Sequence, residues 1–249
     1  MATERMLVWE GISLLDGTTP IVVLATGVPK GGKGRSSANS KTGDMIQIAI
    51  LIRDVNPVEV LSRGTDTAIC GTCPHRSKAS GGSGACYVGV WKGPNSTWKS
   101  HVAKGSVPFD VERFRGQKVR FGSYGDPAAV PFHVWESIAS VASGWTGYTH
   151  QWRTADQRFS RYLMASADSA EEGREARKLG YRNFIVRPAG SEKPKGAVTC
   201  PASAEAGKKL QCADCLMCSG TGSSQPRDIT IIAHGATAKN FTSLPLTVV

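Results

Sequence analysis

Seven cysteines fall into two groups and nowhere else in the chain. The first is Cys70-x2-Cys73-x12-Cys86, and the second is Cys200-x11-Cys212-x2-Cys215-x2-Cys218. Two cysteines separated by two residues on a turn aim both sulfurs at one point, which suits a metal better than a strained short disulfide. Four thiolates close a coordination shell, whereas three leave a position for something else. His75, two residues beyond Cys73, is a candidate fourth ligand for the first group. With it the site is a closed, structural zinc site. Without it the site suits an iron–sulfur cluster with one exposed iron. The expected metal ligands are therefore Cys70, Cys73, His75, Cys86, Cys200, Cys212, Cys215 and Cys218, with zinc as the first expectation and an iron–sulfur cluster as the alternative.

A second set of reactive side chains sits where β-type runs end. Asp126 closes KVRFGSYGD, His150 closes WTGYTH, Asp168 closes YLMASAD and His234 closes ITIIAH. In parallel α/β folds the functional side chains gather at the carboxyl ends of strands. These four are the candidate catalytic residues. Two carboxylates at one mouth can divide the labour, one attacking an electrophilic carbon and the other moving a proton. Arg120 and Tyr124 precede Asp126 and suit an anionic or planar substrate. Tyr148 and Trp152 flank His150 and could stack a base. Lys33 and Arg35 lie in PKGGKGRSSANSKTG, a basic loop within residues 28–44 whose lysines and arginines could touch phosphates. That loop approaches a phosphate-binding motif. However, Gly34 replaces the Ser or Thr that would hold magnesium, and no helix pattern follows.

Positioning these residues requires strands in regular alternation with helices. MLVWEGISL, IVVLATG and MIQIAILIR are β-rich. From Lys118 the pattern reads strand, helix (PFHVWESIASVAS), strand, short helix or turn, strand, helix (SAEEGREARKLG), strand (RNFIVRP) and, after the second cysteine group, strand again. Ser169 as N-cap, Glu171 and Glu172 in the first turn and Gly180 past the end delimit the last helix. Such alternation with short links predicts a parallel sheet. The expected fold is an α/β parallel (β/α) barrel, complete or partial, in one domain over residues 1–249. The cysteine-rich metal-binding loops at 70–86 and 200–218 would be insertions. A doubly wound open sheet is the runner-up.

The chain has 249 residues, 40% of them hydrophobic, and a net charge of +10. A polyanionic partner follows from that charge, nucleic acid first and DNA before RNA. No apolar run approaches the roughly 20 residues that span a bilayer. The start, MATERMLVWEG, has no long apolar segment of the signal-peptide kind. These features predict a cytoplasmic protein with no membrane partner, and clustered cysteines in that compartment favour metal over disulfide.

The segments ICGTCPHR, GACYV, GSYGDPAAVP, TGYTHQW, MASADS, CPASAEAGKKLQC and IIAHG together resemble a group of phage- and plasmid-encoded cysteine-cluster proteins. The resemblance runs roughly from Ser40 to Phe241, and it implies the cytoplasm of a host cell. Two larger superfamilies are similar at a distance. The radical S-adenosylmethionine enzymes have partial barrels and a three-cysteine iron–sulfur site, for which this chain offers Cys70, Cys73 and Cys86 in a different spacing. The tRNA-guanine transglycosylases, with relatives that place deazaguanines in DNA, are barrels with two catalytic aspartates and a zinc site. Asp126 and Asp168 would take the aspartate roles, and Cys212, Cys215 and Cys218 resemble the zinc cluster. The leading expectation is transglycosylase-like base exchange at a purine in nucleic acid. Its rivals are an iron–sulfur radical enzyme and a zinc-stabilised nucleic-acid-binding protein without catalysis.

Overall fold

The computed structural model describes residues 3–32, 37, 39–207, 210–222 and 226–241. Lys33 and Arg35 lie outside the described residues.

Nine strands form one open, mostly parallel sheet. It begins with β1 (Thr3–Ile12), β2 (Pro20–Pro29) and β3 (Ile46–Ile52), in which β2 runs antiparallel to both of its neighbours. β4 (Lys118–Tyr124), β5 (Gly144–Thr149), β6 (Met164–Ala167), β7 (Asn183–Arg187) and β9 (Ile229–Ile232) then follow β3 in parallel. β8 (Val198–Thr199) completes the far edge beside β9. Space follows chain order from β1 to β7, and only β8 and β9 exchange places at the far edge, so the central strand-order reversal of a doubly wound sheet is not seen. Nor is a complete barrel formed. Closure would pair β1 with β8, and β8 is only two residues long. The outer edge of β1 is instead covered by the segment around Val107, which exchanges backbone hydrogen bonds with Arg5 and Leu7.

Period-two alternation explains how the strands present two faces. On β4, Val119 and Phe121 are fully buried, and the Phe121 ring lies 5.1 Å from Trp135 of α4 (Phe132–Val141). On β7, Ile185 packs under α5 (Ala170–Lys178), where Gly173 lets the helix approach. The alternate residues face the other way. Arg120 and Tyr124 of β4, Thr146 and Tyr148 of β5, Ser166 of β6, Phe184 and Val186 of β7, and Ile229 and Ile231 of β9 all line one cavity of about 620 Å³. A second hollow, among Leu14, Phe132, Glu136 and Arg158, contains no cysteine. No helix among the described residues is long and apolar enough to cross a membrane.

Candidate functional site

Both cysteine groups border the 620 Å³ cavity, at its strand-end mouth and along its wall. The first hangs from α2 (Thr67–Cys70), in the connection between β3 and β4. Gln151, just past β5, holds it in place. The Gln151 amide donates to the Cys70 carbonyl at 3.2 Å, and its oxygen accepts from the Thr72 hydroxyl at 3.1 Å and the Thr72 N–H at 3.3 Å. Gly71 is what permits this approach. It sits at φ 53°, and a Cβ there would lie 2.5 Å from the Gln151 oxygen. The Cys86 N–H donates to the His75 carbonyl at 2.9 Å, which folds the loop back so that its third cysteine returns to the first two.

The second group is clasped by backbone. The Cys200 N–H donates to Thr230 of β9, and the Gly147 N–H of β5 donates to the Cys218 carbonyl at 3.0 Å. Cys212 and Cys215 lie on the single turn α6 (Cys212–Cys215), whose first two N–H groups donate to the carbonyls of Lys41 and Thr42. All seven cysteines are free thiols. Burial, then the neighbouring Cys73 and Cys86, pushes the Cys70 thiol well up. Burial also takes Cys86 up to about 11 and Cys218 up to about 12. Thiols packed this way resist ionising on their own, and a bound cation reverses that preference.

The two aspartates have different employment. Asp126 is a cap. Its Oδ1 accepts from the Ala128 N–H at 3.0 Å and its Oδ2 from the His150 N–H at 2.8 Å. Burial raises its pKa against those hydrogen bonds. Asp168 caps nothing, because Ser169 Oγ accepts from Glu172 N–H while Glu172 accepts from the Asp168 N–H at 2.8 Å. This arrangement leaves the Asp168 carboxylate, 6% exposed, free to sit between two imidazoles. His75 Nε2 is 2.7 Å from Oδ1 and His150 Nε2 is 3.4 Å from Oδ2. Burial opposes the Asp168 charge, but His150 and His75 outweigh it and hold the carboxyl far below the usual range. Burial likewise opposes charge on His150, and Cys73 and Asp168 overcome it and raise its pKa well above the usual value. Phe241 stacks on His75 at 5.1 Å.

His75, His150 and Asp168 are, among the described residues, the one set of three or more His, Cys, Asp or Glu side chains whose ligand atoms all lie within 4.8 Å of one another. His75 Nδ1 and His150 Nε2 are buried without a hydrogen-bond partner. Two imidazoles and a carboxylate can hold a proton, or a zinc or non-haem iron ion. Neither cysteine group brings three sulfurs so close together. His75 Nε2 is engaged by Asp168, which leaves Nδ1 as its remaining ring nitrogen.

Of the expected substrate contacts, Arg120, Tyr124 and Tyr148 line the cavity, and His234 lies at its rim. Trp152 is not among the lining residues. It is 1% exposed in the core, its indole N–H donates to the Ser166 carbonyl at 3.1 Å, and Arg153 covers its outer face at 3.9 Å. The chain turns immediately after β5, so the alternation that turns Tyr148 and His150 inward is lost before Trp152. Tyr87 is a cavity residue that the strand-end rule could not find, because it lies in a loop. Its only signal is adjacency to Cys86. Compared with known proteins, the chain matches no family model, no curated protein and no solved structure.

Proposed function

We propose that this chain is an iron–sulfur enzyme whose substrate occupies the cavity between the two cysteine loops. The observation that carries this reading is the spacing of the sulfurs. A single zinc ion with Zn–S bonds of about 2.3 Å draws four thiolates to roughly 3.8 Å from one another. Both cysteine groups surround a common space, yet neither closes three sulfurs to within 4.8 Å. A cubane cluster, with each thiolate on a different iron, spaces its ligands more widely. The three-cysteine loop then leaves one iron open to the cavity, and the four-cysteine loop closes its own shell.

The fold supports the same reading. β3, β4, β5, β6, β7 and β9 are parallel and in chain order, as a partial (β/α) barrel requires. The three-cysteine loop follows the first of them. These features extend the resemblance to the radical S-adenosylmethionine enzymes, in which such a cluster supplies one-electron reduction at its open iron. The chain's own residues do the rest. Phe184, Val186, Ile229 and Ile231 form a dry wall, Arg120 and Tyr148 face the substrate, and the His75–Asp168–His150 group holds a proton at the mouth. The charge of +10 supports a nucleic acid or nucleotide as the substrate class.

Purification and reconstitution without oxygen test the proposal. The expected protein is brown, absorbs at about 400 nm and carries about eight irons per chain with matching sulfide. A colourless protein with zinc overturns it. That outcome favours the transglycosylase-like reading, for which the ionised, buried Asp168 is the supporting observation. In that reading Asp168 attacks the sugar carbon and Asp126 must move a proton despite both of its oxygens being hydrogen-bonded to backbone.

A further inference from the structure

Arg120 is only 6% exposed. Its guanidinium donates to the Thr146 hydroxyl at 3.3 Å and the Tyr87 hydroxyl at 3.2 Å, and it lies 4.3 Å from the centre of the Tyr148 ring. Lys41 enters the same wall from the loop after β2. Its Nζ donates to His234 Nε2 at 2.6 Å and sits 5.5 Å from the centre of the Tyr87 ring. Among the described residues, no carboxylate pairs with either cation. The other buried arginines are compensated. Arg187 pairs with Glu205, and Arg182 donates to three backbone carbonyls. Burial and the nearby Arg120 both depress the Lys41 pKa, and Cys200 opposes them.

Two cations without a carboxylate partner, facing one cavity, make a good receptor for an anion. Flat rings surround them. Tyr87 stacks on His234 at 5.4 Å, and Tyr148 packs against Phe184 at 4.5 Å. The cavity's 620 Å³ suits a ligand of mononucleotide size. We propose that Arg120 and Lys41 form an oxyanion site that holds the phosphate of a nucleotide while Tyr87 and Tyr148 flank its flat ring. The inference names the substrate class for the cavity and so rests on the reading of that cavity as the substrate chamber. The competing use of the two cations is to balance thiolates at Cys212 and Cys218, which border the same wall.

Calorimetry on the metal-loaded protein separates these uses, with dGMP, deoxyguanosine, inorganic phosphate and a short single-stranded oligonucleotide as probes. The expected result is dGMP binding about 10-fold or more tighter than deoxyguanosine, the worth of charge-assisted hydrogen bonds to one phosphate. Arg120→Gln and Lys41→Gln should each erase most of that difference. Lys99→Gln, on the exposed face of α3 (Gly93–Lys104), should keep it. Lys41 lies in a loop, so its variant keeps the test valid if Arg120→Gln fails to fold. Lys41-dependent binding of the oligonucleotide without binding of dGMP assigns the oxyanion to a strand rather than to a free nucleotide. Equal affinity for dGMP and deoxyguanosine, with no oligonucleotide binding, overturns the site. So does a Lys41→Gln protein that binds dGMP normally but has an altered cluster absorption. Iron content is read separately. Iron without phosphate discrimination removes only this inference, and phosphate discrimination without iron removes only the cluster reading.

Discussion

The two cysteine loops border one cavity in opposite electrostatic company. The loop with three thiols sits beside two carboxylates, Asp126 and Asp168, and two imidazoles, His75 and His150. The loop with four thiols sits beside Lys41, Arg120 and Arg182. Their anchoring differs as well. The first loop is tied mostly through side chains, Gln151 to Cys70 and Thr72 and His75 to Asp168, with one backbone bond from Asp126 to Ile69, whereas the second is built into the backbone bonding of β5, β9 and the 41–42 turn. On the proposed reading, three thiols beside carboxylates and imidazoles, held mostly by side chains, suit reaction, and four thiols among cations, woven into the sheet edge, suit holding charge and structure.

Removing the ligands of each loop is the strongest way to break that contrast. Cys70→Ala with Cys73→Ala should lose about half of the iron and all turnover while leaving the fold nearly as stable. Cys212→Ser with Cys215→Ser should also lose about half of the iron, but it should lower the Tm by roughly 10 °C, several kcal/mol in a chain of this size. Iron analysis and thermal unfolding on the same samples decide the matter. Equal losses of stability from the two pairs would erase the division into reactive and structural loops.

Asp168→Ala comes next. It leaves two buried imidazoles without their carboxylate, at a cost of about 3 kcal/mol. Denaturant unfolding measures that cost, and both clusters should still assemble. If the variant instead loses one equivalent of zinc or iron relative to wild type, the His75–Asp168–His150 group is itself a metal site. Asp126→Ala should cost less, about 1–2 kcal/mol, because what it removes is a turn cap with two backbone hydrogen bonds.

How much of this was legible in the sequence follows from geometry. In parallel strands the residues just past each strand arrive at the same edge, which is why strand ends in the sequence pointed to Asp126, His150, Asp168 and His234, of which Asp126, His150 and His234 border the cavity. The pairing of His75 with Asp168 could not, because 93 residues separate them and only the folded loop brings them together. Open edges were equally hidden. Runs such as IVVLATG announce a strand but not its direction, and the antiparallel start of the sheet appears only when β1 and β2 pair. Trp152 misled because alternation holds only while the strand lasts. The donor types of both cysteine loops were plain, while their placement around one cavity needed coordinates.

The smallest expected effect tests the mooring of the first loop. Gln151→Ala removes one donor and one acceptor that hold Cys70 and Thr72 against β5. The Gln151 side chain is buried, so its loss leaves the Cys70 carbonyl and the Thr72 N–H short of partners, a cost of about 1–2 kcal/mol. If this loop is the lightly held one, the variant should still reach full iron content on reconstitution, yet release iron from the first cluster faster than wild type when challenged with a chelator. The second cluster, whose backbone clasp the substitution does not touch, should keep its wild-type release rate. Release rates that change together would mean that the two loops form one cooperative unit, and the contrast between them would then lie in charge alone.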